Sequence, residues 1–462
     1  MTWSNVKVAG LVFCAAALNT GPLPAAQSGG TPVGPGEVTT DTRNCVYAKT
    51  PLSKRLETCT MVLKSDRLPR KEKAKAYIAR ARAHREAGNP QAALADLNLA
   101  VETDPDSFFP WLERGDLHAS QGNVPLALSD YNQAAKLEDK QAIIYVNRAY
   151  ALNASGDRDA AIADYTRAIA LEPNDAVAYF NRATLYLSSS QFALAISDLS
   201  EGIRLEPTGK AYYNRGAAYD RSGDPQKALS DYNEALRLDP SLARAYVGRG
   251  NLLQEKNPQA ALADFDQAIK LDPASPALKM RGKLYLSMDR FDEAIRDYDQ
   301  AIANDPADST GPLHRGVAYQ KRGDIDRAIA DYSRSIELAP TVSAGYYNRG
   351  VAYADKKRFD DALQDFDTVL RMEPDNVQAL LGRADARYSK KQYPASLDDY
   401  TRVIALDPGN AVAYFKRGNI RYDREQYALA IEDYSASLSR EPGNAVVIYN
   451  RDAARTELQR RR

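Results

Sequence analysis

Residues 212–240 of this 462-residue chain read YYNRGAAYDRSGDPQKALSDYNEALRLDP, and this stretch decides the fold. Its first half places aromatic and small residues at spacings of three, four and seven, the period of one face of an α-helix. Gly223, Asp224 and Pro225 then break the chain, and a second amphipathic helix follows. Pro240 ends that helix, because proline lacks a backbone donor and restricts the residue before it. The stretch therefore predicts two helices joined by a tight turn.

The same pattern recurs along most of the chain. An arginine appears every 32 to 34 residues, at Arg80, Arg114, Arg148, Arg182, Arg215, Arg249, Arg281, Arg315, Arg349, Arg383, Arg417 and Arg451. An aspartate followed by an aromatic residue or leucine comes 15 or 16 residues after each of the first eleven. A single helix pair cannot cover both of its apolar sides, so we expect each unit to stack on the next.

The composition fits such an array and argues against other classes of protein. Lys plus Arg number 61 and Asp plus Glu number 61, so the chain lacks the basic excess of a nucleic-acid binder. Apolar residues make up 44% of the sequence, which argues against wholesale disorder. The repeat also explains the unusual count of 28 tyrosines, because it places tyrosines in both helices of a unit.

Six residues of the quoted stretch have the spacing of a known repeat: Tyr212, Gly216, Tyr219, Ala228, Tyr232 and Pro240. This spacing resembles the tetratricopeptide repeat of about 34 residues, and the Asn-Arg-Gly units are similar to an exported bacterial type of that family. The resemblance implies an all-α, right-handed superhelical solenoid of about eleven tetratricopeptide helix pairs with a C-terminal capping helix. We place the eleven repeats at 74–444 and the capping helix at 445–462.

The N-terminal residues resemble an export signal. Lys7 precedes an apolar run from Val8 to Leu18, which is too short to span a bilayer and is followed by small residues. We expect a signal peptide over 1–26, a flexible Gly-, Pro- and Thr-rich linker over 27–51, and an N-terminal helix with a basic connector over 52–73. The mature chain would then be periplasmic or secreted and not stably inserted in a membrane. A cytoplasmic adaptor with an apolar tail is the alternative.

Cys45 and Cys59 are the two cysteines that remain after removal of the signal. In an oxidising compartment they would form a disulfide that ties the end of the linker to the first helix. The alternative is that Cys59 is a small buried hydrophobe within a helical run.

The repeated arginines stand where the family usually has leucine, and each of the first eleven is matched by an aspartate in the second helix. An arginine holds a carboxylate with two hydrogen bonds, so we interpret the pattern as a structural ladder of ion pairs, within one unit or between neighbours. Clear examples are Arg148 with Asp164, Arg182 with Asp198, Arg215 with Asp231, and Arg349 with Asp365.

An asparagine precedes the arginine in five units, at Asn147, Asn181, Asn214, Asn348 and Asn450. The family resemblance implies that first helices line the inner surface of the superhelix. Asparagine ladders there are similar to those that hold peptides in protein O-GlcNAc transferases, since an amide pairs with a peptide backbone. Phe180, Tyr213 and Tyr347 would add apolar contacts along the same wall. The alternative is that each asparagine only hydrogen-bonds neighbouring side chains.

The sequence contains no motif of catalysis, metal binding or cofactor binding. It lacks a glycine-rich phosphate loop, HExxH and CxxC, and we interpret His84 and His118 as core histidines. The basic run from Lys64 to Glu86 is read as a solvated helix face, with an acidic partner or an anionic membrane surface as the alternative.

We therefore expect a non-catalytic scaffold that binds extended peptide or protein segments on the concave surface, in the bacterial cell envelope. No cofactor and no nucleic acid are expected, and self-association is left open. The alternatives are a scaffold for exopolysaccharide assembly or export, to which rows of tyrosine and asparagine are also suited, and the cytoplasmic adaptor.

Overall fold

The chain folds into α-helices joined by short turns, as the repeat period predicts. The computed structural model describes residues 45, 50–65 and 68–461. In this part of the chain there are 24 complete helices and no strand, which confirms the all-α class. The predicted signal peptide and most of the predicted linker lie outside the described residues.

The chain divides into two units, one ending at Pro240 and the other beginning at Ser241. Helices of the first unit are α1 Leu52–Leu63, α2 Arg70–Glu86, α3 Pro90–Thr103, α4 Phe108–Ser120, α5 Val124–Leu137, α6 Ala142–Ser155, α7 Arg158–Leu171, α8 Ala176–Ser188, α9 Phe192–Leu205, α10 Gly209–Arg221 and α11 Pro225–Leu238. Helices of the second unit are α12 Ala243–Leu253, α13 Pro258–Leu271, α14 Ala277–Ser287, α15 Phe291–Asn304, α16 Thr310–Arg322, α17 Ile325–Leu338, α18 Ser343–Asp355, α19 Phe359–Met372, α20 Val377–Ser389, α21 Tyr393–Leu406, α22 Ala411–Asp423, α23 Tyr427–Arg440 and α24 Ala445–Arg460.

Within each unit the helices pack in pairs, from α2 with α3 to α10 with α11 and from α12 with α13 to α22 with α23. The second helix of a pair also packs against the first helix of the next pair in the same unit. This arrangement gives five pairs in the first unit and six in the second, so the predicted number of eleven is confirmed.

Each pair is held by a tyrosine, phenylalanine or leucine of the second helix that packs against a small residue of the first. In the pair α10 and α11, Tyr232 is only 2% exposed. A methyl group added to Gly216 would lie 3.0 Å from the Tyr232 ring, so the small residue permits the close approach of the helices.

The turn between the two helices of this pair depends on three adjacent residues. Gly223 adopts a positive φ of 86°, a conformation that favours glycine. The Asp224 side chain accepts a hydrogen bond from the Lys227 backbone nitrogen, and Pro225 occupies the first turn of α11. The turn thus ends one helix and starts the next within a few residues.

The first helix of the array begins within the predicted basic connector. Helix α2 starts at Arg70, before residue 74 where we place the first repeat, because the Lys73 backbone nitrogen donates to the Pro69 carbonyl over 2.8 Å and closes an earlier helical turn. Much of the basic run from Lys64 to Glu86 is therefore one helix, and its Arg70, Lys71 and Lys75 are exposed.

Helix α24 begins at the predicted residue and carries polar groups where the other first helices carry a small residue. Asp452 follows Arg451 at that position and forms ion pairs with Arg451 and Arg455. The helix packs against α22 and α23. Its polar flank has the character that we predicted for a capping helix.

Candidate peptide-binding face

The candidate site is a surface that consecutive first helices form within each unit. We call it the A-helix face and define it by the residue that precedes each repeated arginine. In the first unit these residues are Ala79, Glu113, Asn147, Asn181 and Asn214, and in the second they are Gly248, Met280, His314, Asn348, Gly382, Lys416 and Asn450.

The repeated arginines hold the two helices of each pair together beneath this face. The first eleven of them form ion pairs with the aspartate of their own second helix, with shortest N–O distances of 2.6 to 2.8 Å. The predicted pairs are among them: Arg148 with Asp164, Arg182 with Asp198, Arg215 with Asp231, and Arg349 with Asp365. The eleven aspartates are only 2 to 7% exposed, so each ion pair is largely removed from water.

The same arginines also connect neighbouring pairs. Arg215 donates from Nε and Nη2 to Asp231, each over 2.8 Å, and from Nη1 to the Ser200 hydroxyl of the preceding second helix over 3.1 Å. Eight other arginines make an equivalent third hydrogen bond: Arg114, Arg148, Arg182, Arg281, Arg315, Arg349, Arg383 and Arg417. The ladder therefore acts both within a repeat and between repeats.

Aromatic rings flank these guanidinium groups. The Arg215 guanidinium carbon lies 5.4 Å from the Tyr212 ring centre and 5.9 Å from that of Tyr219. The hydrogen bonds with Asp231 raise the pKa of Arg215 above its ordinary value, although burial acts in the opposite direction. Arg215 is thus held charged between two tyrosines, which gives these tyrosines a second role besides packing.

Asn147 is engaged with its own chain. Its Nδ2 donates to Asp116 Oδ1 over 2.8 Å, and the Tyr131 hydroxyl donates to the same oxygen over 2.8 Å. Burial, reinforced by the nearby Glu113 carboxylate, raises the pKa of Asp116 from 3.8 to about 6. Asn147 therefore links α6 to α4. Its hydrogen bond to a neighbouring side chain is the arrangement that we gave as the alternative to peptide binding.

The same tie recurs near the C-terminus with other residue types. Asn450 Nδ2 donates to Asn419 Oδ1 over 3.1 Å, and the Tyr434 hydroxyl donates to that oxygen over 2.9 Å. One repeat earlier, Lys416 of α22 pairs with Asp385 of α20 over 3.2 Å. These ties between first helices were not predicted from the sequence. Their signal is an Asp or Asn two residues after the repeated arginine, as at Asp116, Asp385 and Asn419.

Asn214 and Asn348 differ from Asn147, because neither side chain makes a hydrogen bond among the described residues. Thr184 and Val317 stand at the positions equivalent to Asp116, and Thr184 is occupied by its own hydrogen bond to the Phe180 carbonyl. Both asparagines are half-buried, so part of each residue is accessible at the A-helix face. Asn181 lies between these two cases, because its side chain makes one hydrogen bond, with the Tyr165 hydroxyl.

The predicted apolar contacts are half-buried and contribute to the core. The Tyr213 ring centre lies 6.1 Å from that of Tyr232, and the Tyr347 ring centre lies 6.1 Å from that of Phe366. Phe180 packs over Gly202 and leaves no room there for a larger residue. Only a part of each ring is therefore available to a ligand on the A-helix face.

Two histidines lie beside ladder aspartates. The Nε2 atoms of His84 and His118 are each 3.9 Å from a carboxylate oxygen, of Asp96 and Asp130 respectively. Burial lowers the pKa of His118. In the part of the chain that the structure describes, no three His, Cys, Asp or Glu side chains group as metal ligands do.

Cys45 and Cys59 are joined by a disulfide, and both are at most 1% exposed. Cys45 lies within the predicted flexible linker, so at least this point of it is attached to α1. None of the helices described here has the length and apolar character needed to cross a bilayer.

The paired helices and their regular stacking define a helical repeat protein of the solenoid class. Models of the tetratricopeptide repeat match residues 78–143, 149–189, 209–242, 279–343, 347–411 and 381–445. The chain therefore belongs to the tetratricopeptide repeat family, and this family assignment supports a protein-interaction scaffold. No curated protein matches the chain in sequence.

Several solved structures are similar to this chain at low identity. A tetratricopeptide repeat protein from Parabacteroides merdae is 17% identical with a TM-score of 0.43, and the match covers 53% of this chain and 98% of that one. Yeast Tom70 is 16% identical with a TM-score of 0.39, over 85% and 97%. The APC/C heterotetramer Cut9–Hcn1 matches at 14% identity with a TM-score of 0.43, over 87% and 93%.

Proposed function

We propose that this chain is an exported, non-catalytic scaffold that binds extended peptide segments on its A-helix face. The observation that carries the proposal is the position of Asn214: it lies half-buried on the A-helix face, and no described residue hydrogen-bonds its amide. Asn348 offers the same group in the second unit. An amide presents donors and an acceptor, as a peptide bond does, so it binds a backbone without reading its sequence.

Exposed apolar residues on first helices of the first unit support peptide binding. In the first unit Tyr150 is 44% exposed and Val177 is 42% exposed, both on first helices and both close in sequence to Asn147 and Asn181. Apolar side chains of a bound segment would cover this surface, while its backbone pairs with Asn214. The proposed recognition thus combines hydrogen bonds to the peptide backbone, which do not depend on the peptide's sequence, with contacts to its apolar side chains.

Export is supported by the N-terminal pattern of one base followed by an apolar run, and by the Cys45–Cys59 disulfide. Disulfides persist in oxidising compartments such as the bacterial periplasm. Mass spectrometry of the mature chain tests this part of the proposal. A chain that begins near residue 27 with the disulfide intact is expected, and a full-length reduced chain would contradict export.

Binding is tested with the tightest peptide that a random display library yields against the full chain. Asn214→Ala should weaken that peptide about fivefold, because one hydrogen bond contributes about 1 kcal/mol. Asn174→Ala is the control, since Asn174 is exposed in a loop between helices and makes no hydrogen bond among the described residues. N-methylation of the peptide backbone at the contacting position should produce the same loss.

Two results would contradict the proposal. If neither Asn214→Ala nor Asn348→Ala weakens the peptide relative to Asn174→Ala, these amides do not hold its backbone. If the library yields no peptide at all, the scaffold does not bind extended segments on this face.

A further inference from the structure

Where α14 meets α16, the A-helix face differs from the equivalent contact in other repeats. In three other repeats the tyrosine of the second helix donates to an Asp or Asn two positions after the repeated arginine; these pairs are Tyr131 with Asp116, Tyr400 with Asp385, and Tyr434 with Asn419. In this repeat the same two positions hold Tyr298 and Lys283. Because an ammonium group only donates hydrogen bonds, Lys283 cannot accept one from the tyrosine.

The Tyr298 hydroxyl has no hydrogen-bond partner. Tyr298 is 0% exposed, and its hydroxyl is one of four buried side-chain nitrogen or oxygen atoms in the described part of the chain that make no hydrogen bond. A buried donor without an acceptor is unfavourable, so native proteins rarely retain one. This hydroxyl therefore needs an acceptor from outside the chain.

Packing places the hydroxyl beside α14 at the residue before Lys283. A methyl group added to Gly282 would lie 2.9 Å from Tyr298 Cζ, the carbon that carries the hydroxyl. The His314 ring of α16 stacks on the Tyr298 ring, with the ring centres 5.7 Å apart. His314 Nδ1 donates to the Thr310 carbonyl over 2.7 Å, which fixes the orientation of the imidazole. We call Lys283, Tyr298 and His314 the Lys283 site.

The first helices around the Lys283 site carry cations and no acid. Helices α12, α14 and α16 contain no Asp or Glu. Their repeated arginines are neutralised by the ladder aspartates, and Lys279 pairs with Asp308 over 2.8 Å. Lys283 and Lys321 are exposed and form no ion pair among the described residues. This part of the A-helix face therefore attracts a negative charge.

The other charges near the site do not neutralise Lys283. Glu255 and Asp289 lie in the turns after α12 and α14, and neither forms an ion pair among the described residues. Burial lowers the pKa of His314, and Lys283 acts in the same direction, so the imidazole adds no opposing charge. The site thus combines an ammonium donor and a hydroxyl donor and lacks an acceptor.

We infer that the Lys283 site binds an acidic side chain of an extended segment on the A-helix face. This inference rests on the proposed function and names a residue type that the site prefers in its ligand. The carboxylate would accept from Tyr298 and Lys283, since a carboxylate accepts several hydrogen bonds at once. Asp116 does so inside the chain, where it accepts from Tyr131 and Asn147.

A ligand reaches the Tyr298 hydroxyl only after a side chain of this face has moved, because the hydroxyl is buried. Lys283 is exposed and has a flexible stem of four carbons, so it moves without disturbing the helices. Its ammonium group then remains within reach of the bound carboxylate.

The test measures the fluorescence anisotropy of two labelled peptides with the full chain, one of alternating Glu and Val and one of alternating Gln and Val, both blocked at their ends. Lys283→Met should weaken the Glu peptide about fivefold, which corresponds to about 1 kcal/mol, and leave the Gln peptide unchanged. Lys270→Met is the matched control, since Lys270 is exposed on the second helix α13 and forms no ion pair among the described residues.

Tyr298→Phe separates binding from folding. It removes an unpaired hydroxyl and keeps the ring, so the melting temperature should not fall, yet the Glu peptide should bind about fivefold more weakly. Tyr131→Phe is the control for stability, because it removes a hydrogen bond to Asp116 and should lower the melting temperature.

Four results would overturn the inference. They are binding of neither peptide, equal affinity of the wild type for both peptides, equal losses in Lys283→Met and Lys270→Met, and an unchanged affinity for the Glu peptide in Tyr298→Phe. If one of them occurs while Asn214→Ala still weakens the peptide selected from the library, the proposed function stands and only the Lys283 site fails.

Discussion

Removal of one ladder arginine should destabilise the array far more than removal of an exposed lysine. Arg215→Ala leaves the Asp231 carboxylate, in a residue only 5% exposed, without its two hydrogen bonds. It also removes the bond to Ser200 and the contacts with two tyrosine rings. Breaking one partner of a buried ion pair costs about 3–5 kcal/mol. The Arg215 side chain is 19% exposed, so water reaches the cavity and we expect about 3 kcal/mol.

Lys227→Ala is the matched control on the same helix pair. Lys227 forms an ion pair with Asp224, but its side chain is 63% exposed, so we expect no measurable change in the free energy of unfolding. Arg215→Lys should fall between the two, because an ammonium group cannot reproduce the two parallel hydrogen bonds of a guanidinium group. Replacing both Arg215 and Asp231 by Ala should recover part of the loss, since no unpaired buried charge remains.

The assay is urea denaturation followed by circular dichroism, together with hydrogen exchange of the amides in α10 and α11. Exchange is needed because a repeat array unfolds locally as well as globally. Equal losses of stability in Arg215→Ala and Lys227→Ala would show that the buried ion pair does not stabilise the helix pair. So would an Arg215→Ala variant whose stability is unaffected by the further loss of Asp231.

Three further predictions follow from individual residues. The pKa of Asp116 is about 6 against an ordinary 3.8, so its burial should cost up to about 3 kcal/mol above pH 6 and nothing below about pH 4. Stability should therefore rise in this window as the pH falls, and Asp116→Asn should remove that contribution while keeping an acceptor for Tyr131. Serine in place of both Cys45 and Cys59 should lower stability by about 3 kcal/mol in thermal melts, since the disulfide closes a loop with a sequence separation of 14. Gly223→Ala should cost about 1 kcal/mol in urea denaturation, because φ at this turn is +86°.

Each of these predictions has an outcome that contradicts it. An identical pH profile for the wild type and Asp116→Asn would show that this carboxyl group is not perturbed. An unchanged melting temperature after loss of the disulfide would mean that the N-terminal segment does not contribute to stability. A Gly223→Ala variant as stable as the wild type would show that the turn relaxes without cost.

The fold was predictable because it depends on contacts that repeat with the sequence. The small residue at Gly216 and the aromatic residue at Tyr232 meet within one helix pair, and each unit repeats the same local geometry. The start of α2 at Arg70 was not predictable from the repeat, because it depends on a backbone hydrogen bond to Pro69 outside the repeated pattern.

The candidate site was only partly predictable. The pairing of Arg215 with Asp231 follows from a constant spacing of 16 residues. Whether an asparagine is free depends instead on a residue of the preceding unit that becomes its neighbour only after stacking. Asn147 meets Asp116 and is engaged, whereas Asn348 has Val317 at the equivalent position and is not. The chemical identity of that neighbour varies from repeat to repeat, so the asparagine row alone cannot distinguish ligand contacts from ties.

The central claim, that peptides bind on the A-helix face, is tested most directly by site-specific photocrosslinking in the full chain. A photoreactive amino acid replaces Tyr213 on a first helix or, as the control, Leu194 on a second helix, where the side chain is 48% exposed. The bound peptide should crosslink to position 213 and not to position 194. A crosslink at position 194 with none at position 213 would contradict it.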